Sequence, residues 1–307
     1  MIKEPVDILT MFPIRRSAAQ KQAFRDEVCK YAASIGYSVT VEQGKRGVHN
    51  VVIGNPKTAD YLITAHYDTP AASPFPNFLT PTNMALYVMY QIVVILLFMA
   101  VAFLICLPVA IITHDETATF LVAYIAYMVM AFLPRYGPAN KNNYNDNTSG
   151  IVTLLETARS MPENRRSKVC FVLFDLEEKG LVGSAAYRKA HKEETEKQIV
   201  LNLDCVGDGD LLRIFPTKKL KDEKDKLNWL KRACGSFGKK DIGLIEKGLT
   251  VYPSDQKSFP RAVAIAAFHR KKFIGLYHGR IHTKRDTVLD YTNINILRAA
   301  LITLVCQ

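Results

Sequence analysis

The first part of the chain alternates short apolar runs with one amphipathic segment. Residues 17–35 place apolar side chains at helical spacing, which predicts a helix that Gly36 ends. Residues 37–42, 51–54 and 60–66 are rich in apolar and β-branched residues and predict three strands. In open α/β sheets, sites lie beyond the carboxyl ends of the strands. The polar residues that close the third strand are therefore candidates for a site.

Two long uncharged apolar runs follow, at 84–113 and 117–133, with only three residues between them. A bilayer core needs about twenty apolar residues per helix. We therefore predict a transmembrane hairpin that contacts the lipid bilayer through residues 84–133, with Pro108 as a candidate kink. A buried pair of helices in a soluble or oligomeric protein is the alternative.

The charges beside the hairpin predict its orientation. The turn at 114–116 carries no Lys or Arg, whereas Arg135 and Lys141 lie on the opposite side. Positive charge prefers the cytoplasmic side of a membrane. The N-terminus also lacks an apolar signal region. We therefore expect a multi-pass membrane protein with two spanning helices and the rest of the chain in the cytoplasm.

After the hairpin, the alternation of helices and strands resumes. The predicted helices are 147–161, 184–191, 223–237 and 292–305, and the predicted strands are 168–175, 199–204, 211–215, 262–268 and 273–277. Strands that alternate with helices predict an α/β fold of three layers, α/β/α, with a mostly parallel mixed central sheet. Residues 1–83 and 136–307 would form one domain, into which residues 84–135 are inserted as the hairpin.

Composition narrows the class of protein. The net charge is +11, which suits nucleic acid or an anionic membrane surface. The sequence has no helix-turn-helix, zinc-finger or RNA-binding signature, so we expect no nucleic-acid partner. The six cysteines form no CxxC pair and several lie in apolar runs. This pattern favours a reducing compartment over a disulfide framework.

Histidines and carboxylates collect where strands and helices begin or end. The candidate metal donors are His66, Asp146, Glu178, Asp204 and His282. Nitrogen and oxygen donors without thiolate are typical of a hydrolytic zinc or manganese site. Two ions about 3.5–4 Å apart need a shared carboxylate, which Asp146 could supply. His66 and Asp204 would complete one ion, and Glu178 and His282 the other. By contrast, Asp208 and Asp210 have the pattern of turn residues.

These residues lie in six short motifs, in a fixed order along the chain. The motifs are His-Tyr-Asp at 66–68, Asn-Asp-Asn-Thr-Ser-Gly at 145–150, Glu-Glu-Lys-Gly-Leu-Val-Gly-Ser at 177–184, Asn-Leu-Asp at 202–204, Ser-Asp-Gln-Lys-Ser-Phe at 254–259 and His-Thr-Lys-Arg-Asp at 282–286. In them the chain resembles the co-catalytic di-zinc aminopeptidases, the family of bacterial leucyl aminopeptidases and glutamate carboxypeptidase. The resemblance covers residues 60–83 and 136–307.

The resemblance implies a role for each residue. His66, Asp146, Glu178, Asp204 and His282 would be the metal ligands, for two Zn2+ ions or for Mn2+ or Co2+ in their place. Asp68 would hydrogen-bond His66 and fix its tautomer. Glu177 would be the general base for the attacking water. The expected protein is a membrane-anchored di-zinc metallopeptidase, an aminopeptidase acting on short peptides.

The chain also departs from the family pattern. Gln256 stands where the family often has His, and Ile281 stands where many members have Tyr. Tyr277 or His278 could substitute for that Tyr.

Several alternatives stay open. One is a glutaminyl-cyclase-like aminoacyl transferase with a single zinc, and another is a non-catalytic receptor or scaffold, which should lack ligands. Carboxypeptidase or dipeptidase activity, the residue preference, the native metal and a homo-oligomer also stay open.

Overall fold

One mixed sheet of nine strands organises the computed structural model, which describes residues 2–225, 228, 240–245 and 250–306. The strands are β1 (Val39–Gln43), β2 (His49–Ile53), β3 (Tyr61–His66), β4 (Val169–Phe174), β5 (Ile199–Leu203), β6 (Leu211–Pro216), β7 (Asp241–Leu244), β8 (Ala262–Lys271) and β9 (Gly275–Tyr277). Their order across the sheet is β1-β2-β4-β3-β5-β8-β6-β7, and β9 pairs with β8. The central strands β4, β3, β5 and β8 are parallel, so their carboxyl ends meet at one edge.

Helices connect the strands and flank the sheet. They are α1 (Ile8–Met11), α2 (Ala18–Ser34), α3 (Met84–Thr113), α4 (Glu116–Tyr136), α5 (Gly150–Ser160), α6 (Val182–Ala190), α7 (Lys192–Lys197), α8 (Lys218–Asp222) and α9 (Tyr291–Cys306). Ser17 caps α2, because its hydroxyl accepts the N–H of Gln20 while the Gln20 side chain accepts the N–H of Ser17.

Apolar side chains of the sheet pack against helices on both faces. Along β4, Phe171 and Leu173 belong to the cluster that also holds apolar residues of α2, α5 and α9. The alternate residues Val172 and Phe174 belong to a second cluster, which contains Tyr187 of α6. The sheet is therefore covered on both sides, and the predicted three-layer α/β fold is confirmed.

The apolar insertion forms two adjacent antiparallel helices, α3 and α4, between β3 and β4. Both are long and apolar enough to cross a membrane, with mean hydropathy values of 3.2 and 1.8. Most of their apolar side chains face outward: Ile112 is 78% exposed and Phe120 is 72% exposed. A pair of helices buried within this domain would hide these side chains, so the structure does not support burial inside the chain itself, whereas burial against another copy is a separate alternative that one chain does not test.

A few elements differ from the predictions. Helix α5 begins at Gly150 rather than at 147, because Asp146 and Asn147 have non-helical backbone angles. The pattern does not predict the short elements α1, α7, α8 and β7. Most of the helix predicted at 223–237 lies outside the described residues.

Candidate metal centre

The parallel strands bring three of the predicted donors to one edge of the sheet. His66 is the last residue of β3, Glu178 lies in the turn after β4, and Asp204 directly follows β5. Since β4, β3 and β5 are neighbours, these side chains converge above adjacent strand ends.

Asp146 lies between the two predicted histidines and offers one oxygen to each. Its Oδ1 is 3.3 Å from His66 Nε2, and its Oδ2 is 3.1 Å from His282 Nε2. Asp204 Oδ1 lies 3.7 Å from His66 Nε2, and Glu178 Oε1 lies 3.7 Å from His282 Nε2. The five donors thus form two groups of three that share the Asp146 carboxylate.

Each of these groups is compact enough to surround a cation. The donor atoms of His66, Asp146 and Asp204 lie within 4.8 Å of one another, and so do those of Asp146, Glu178 and His282. Glu178 Oε1 is buried and has no hydrogen-bond partner among the described residues. A buried carboxylate oxygen without a donor is costly unless a cation neutralises it, so this observation fits a metal ligand.

Two asparagines fix the segment that carries the shared aspartate. Asn145 Oδ1 accepts the backbone N–H groups of Gly207 at 2.7 Å and Asp208 at 3.0 Å. Asn147 Nδ2 donates to the carbonyl of Leu203 at 2.9 Å. Hydrogen bonds on both sides of Asp146 therefore hold this segment against the loop after β5. They fix the distance between Asp146 and Asp204, the predicted ligand at the start of that loop.

Asp286 holds the same segment from the opposite direction. Its carboxylate accepts the N–H of Asn145 at 2.8 Å and the N–H of Asp146 at 3.1 Å. Burial and the charge of Asp146 raise the pKa of Asp286 to about 7. Asp286 closes the last motif of the sequence, but the pattern alone assigns it no role.

Asp68 contacts the turn after β4 more directly than it contacts the histidine. Its two carboxylate oxygens accept the N–H groups of Glu177 at 3.0 Å and Glu178 at 3.2 Å. His66 Nδ1 lies 3.2 Å from the Asp68 carbonyl but 3.6 Å from its carboxylate, which is longer than a normal hydrogen bond. The expected side-chain hydrogen bond between Asp68 and His66 is therefore replaced by a main-chain contact.

The centre crowds carboxylates and imidazoles away from water, which shifts their pKa values. Burial alone would raise the pKa of Asp146, yet hydrogen bonds from His282 and His66 hold it far below its ordinary value. Burial raises the pKa of Glu178 to about 7, and His282 opposes the rise. Burial also raises the pKa of Glu177 well above its ordinary value. A bound cation would favour the deprotonated carboxylates over these protonated forms.

Sequence reasoning missed a buried arginine beside the centre. Arg15 is fully buried, its Nε donates to the carbonyl of Tyr67 at 2.6 Å, and its Nη2 donates to Asn143 and Thr148. Burial lowers its pKa to about 9, although the nearby carboxylates of the centre oppose this. Arg15 therefore links the strand that ends in the first histidine to the segment that carries the shared aspartate.

The two positions that depart from the family pattern, Gln256 and Ile281, are buried, and so is His278, one of the two possible substitutes for the missing Tyr. The side-chain amide of Gln256 donates a hydrogen bond to the carbonyl of Tyr252 at 2.6 Å. The ring of His278 lies 4.3 Å from that of Phe268, and burial lowers the His278 pKa to about 4, so this imidazole is neutral. Asp208, predicted to be a turn residue, lies in a bend after β5 and is buried, with its Oδ1 2.9 Å from His269 Nε2.

A mixed sheet with parallel central strands and oxygen and nitrogen donors at its edge is typical of a metal-dependent α/β hydrolase. The family model of peptidase family M28 matches residues 129–305, so the chain belongs to this family. This confirms the predicted family and, with it, the prediction of a metallopeptidase. A search of curated proteins finds no match.

Solved structures share the fold across the whole domain. A Zn-dependent exopeptidase from Parabacteroides distasonis aligns with a TM-score of 0.61 and 14% identity, over 98% of this chain and 94% of that chain. The LapA aminopeptidase of Legionella pneumophila aligns with a TM-score of 0.59 and 14% identity, over 98% and 69%. A glutaminyl cyclase from Bacteroides thetaiotaomicron aligns with a TM-score of 0.58 and 15% identity, over 98% and 94%. At these identities the likeness shows the fold alone.

Proposed function

We propose that the protein is a membrane-anchored, two-zinc aminopeptidase that hydrolyses short peptides. One observation carries the proposal: a single carboxylate, Asp146, lies between two histidines that each have a further carboxylate beside them. A structural zinc site is closed around one ion, whereas paired sites with a shared carboxylate are typical of metal hydrolases.

The donor set would hold the ions as two groups. His66 and Asp204 would complete one ion, Glu178 and His282 would complete the other, and Asp146 would bridge them. Bound zinc would supply an acidified water molecule and polarise the carbonyl of the scissile bond. The nitrogen and oxygen donors suit zinc, and they also accept Mn2+ or Co2+.

Glu177 is the proposed general base. One of its carboxylate oxygens lies within 4.8 Å of donor atoms of His66 and Glu178, so it reaches the space beside the ions. It would take a proton from the attacking water as the water oxygen bonds to the carbonyl carbon. As the carbon–nitrogen bond breaks, the same carboxyl group would give that proton to the leaving amine. Asp68 would hold Glu177 in place through the main-chain N–H.

The hairpin supports a membrane location. Helices α3 and α4 expose large apolar side chains over most of their length. Contact of such a surface with water is unfavourable, whereas contact with lipid is favourable. Arg135 and Lys179 lie close together at the domain end of the hairpin, and the turn at its other end has no basic residue. We therefore place the catalytic domain on the cytoplasmic side.

A second candidate is a glutaminyl-cyclase-like transferase with one zinc, because a glutaminyl cyclase shares the fold. The two groups of donors favour two ions over one. A non-catalytic receptor is a weaker reading, since all five donors and the base are present.

The experiment combines a metal count with a base substitution. Full-length protein in detergent, loaded with zinc, should carry two ions per chain and hydrolyse aminoacyl reporters. Glu177→Ala should keep both ions and lose at least about a hundredfold in kcat. Glu193→Ala, on the exposed surface of α7, is the matched control. Wild-type rates in Glu177→Ala would reject the base, and one ion per chain would favour the transferase.

A further inference from the structure

A cavity of about 310 Å³ opens directly beside one of the two donor groups. Glu178 and His282 form one side of it, and both are predicted ligands. This volume lies at the lower end of the range of small-ligand sites, which is about 300–1,000 Å³. A cavity next to a reacting centre is a place where a substrate side chain can bind.

The apolar hairpin supplies another part of the cavity lining. Gln91, Val94 and Phe98 of α3 line it, three and four residues apart, so they share one face of the helix. Val93, between the first two, is 55% exposed and points away from the cavity. The same helix therefore presents one face to the domain and another to its surroundings.

The loop between β3 and the hairpin completes the apolar lining and joins it to the centre. The ring of Phe75 lies 6.5 Å from that of Phe98, and the hydroxyl of Tyr90 donates to the carbonyl of Pro76 at 2.8 Å. The N–H of Ser73 donates to the carbonyl of His282 at 2.8 Å. The hairpin wall is therefore fixed relative to a predicted ligand.

The end of α4 ties the hairpin to the turn that carries the base. Arg135 lines the cavity, and its Nη2 donates to the carbonyl of Lys179. Lys179 Nζ donates back to the carbonyl of Arg135 at 3.1 Å. Lys179 directly follows the two glutamates, so the hairpin and the catalytic turn are held together.

We propose that the hairpin forms a substrate subsite as well as an anchor. This subsite selects peptides with a large apolar side chain, such as Leu or Phe, at a residue that flanks the scissile bond. The inference rests on the proposed peptidase function. Val94 and Phe98 are its specificity-determining residues, because they are apolar and line the same cavity as Glu178 and His282.

The test changes the size of the cavity in the full-length, zinc-loaded protein in detergent. The tripeptides Ala-Ala-Ala, Leu-Ala-Ala and Ala-Leu-Ala give the ratio of kcat/KM for leucine over alanine at each position. Wild type should favour leucine at one position. Val94→Phe fills the cavity and should lower that ratio at least about tenfold, since each methylene in an apolar pocket is worth roughly that factor or more. Val93→Phe, on the outward face of the same helix, should leave the ratio unchanged.

A second variant works in the opposite direction. Phe98→Ala enlarges the cavity and should raise the preference for tryptophan over leucine at the same position. If Val94→Phe loses all activity, the preference of Phe98→Ala for tryptophan over leucine decides whether the subsite exists. Leucine ratios within twofold of wild type in Val94→Phe, or no preference in wild type, would overturn the subsite while leaving the peptidase intact. No cleavage of any tripeptide by the zinc-loaded wild type would reject the proposed function, and the subsite with it.

Discussion

At the scale of single residues, the position of the shared aspartate depends on hydrogen bonds to its main chain. Asp286 accepts two N–H groups, those of Asn145 and Asp146. An asparagine in its place offers one acceptor oxygen and turns an NH2 group toward the other N–H. The segment would then shift relative to the two histidines.

Asp286→Asn should therefore weaken zinc binding by roughly 10- to 100-fold, the usual effect of losing a group that orients a ligand. Competition for zinc with a chelating dye measures this. Asp210→Asn is the matched control, since the Asp210 side chain is 82% exposed and pairs with Lys240. Equal zinc affinities in the two variants would show that Asp286 does not orient the bridge.

The sequence predicts the identity of the donors better than the identity of the residues that hold them. The five donors stand at strand ends or in motifs, where imidazole and carboxylate side chains are informative in themselves. Arg15 carries no such signal, because its partners Asn143 and Thr148 lie 128 and 133 residues away. A contact of that kind exists only after the chain has folded.

At the scale of elements, a buried ion pair joins α2 to the end of β4. Lys21 Nζ lies 2.7 Å from Asp175 Oδ1, with side-chain exposures of 8% and 0%. Burial raises the pKa of Asp175, and Lys21 opposes the rise. Removal of the lysine would leave a buried carboxylate without its partner charge, which is the costly way to break such a pair.

Lys21→Met should therefore lower the free energy of unfolding by about 3–5 kcal/mol near neutral pH. Without Lys21, the folded-state pKa of Asp175 should rise further above its unfolded value. Stability should then be retained below the unfolded pKa, near pH 4, and be lost as the pH rises through the folded pKa. Denaturant unfolding in detergent at several pH values measures this.

Lys30→Met on the same helix is the control for that substitution. Lys30 pairs with Glu27 at the surface, where its side chain is 57% exposed, so its loss should matter far less. A loss in Lys21→Met that is no larger than in Lys30→Met, or that does not grow with pH, would contradict the prediction.

Elements are predictable where one pattern dominates. The run at 84–113 coincides with α3, because a long uncharged apolar stretch has no competing interpretation. The strands β3, β4 and β5 are also predicted within one or two residues. The sequence does not predict the four-residue strand β7, because so short a segment has no clear strand pattern and its pairing with β6 stabilises it. The late start of α5 is missed because hydrogen bonds to distant loops hold residues 145–147 out of the helix.

At the scale of the whole molecule, the lengths of the two apolar helices fit the proposal that the hairpin spans a bilayer. Counted outward from the turn at 114–115, residues 95–113 of α3 lie alongside residues 116–134 of α4. Nineteen residues in a helix span about 28 Å, close to the thickness of a bilayer core of about 30 Å. The first turns of α3 extend beyond this pair and pack on the domain, where Tyr90 bonds Pro76.

If the hairpin spans a bilayer, as proposed, this geometry would place the cavity at the boundary between the domain and the lipid. Its lining residues Val94, Phe98 and Pro134 lie at the level where the paired segment meets the domain. A peptide with an apolar side chain concentrates at a membrane surface, so it would reach the cavity along the bilayer. The basic residues beside the cavity would then face anionic headgroups.

The topology that follows can be tested by labelling in intact cells that express the protein. Glu116→Cys, in the exposed turn of the hairpin, should react with a membrane-impermeant maleimide added outside. Lys57→Cys, on the exposed surface of the domain, should react only after the cells are permeabilised, because the proposed orientation, with the positive charge beside the hairpin on the cytoplasmic side, would keep the domain inside. The unsubstituted protein, with its own cysteines, sets the background. Labelling of Lys57→Cys but not of Glu116→Cys in intact cells would reverse the orientation, whereas equal labelling of the two positions would exclude a spanning hairpin.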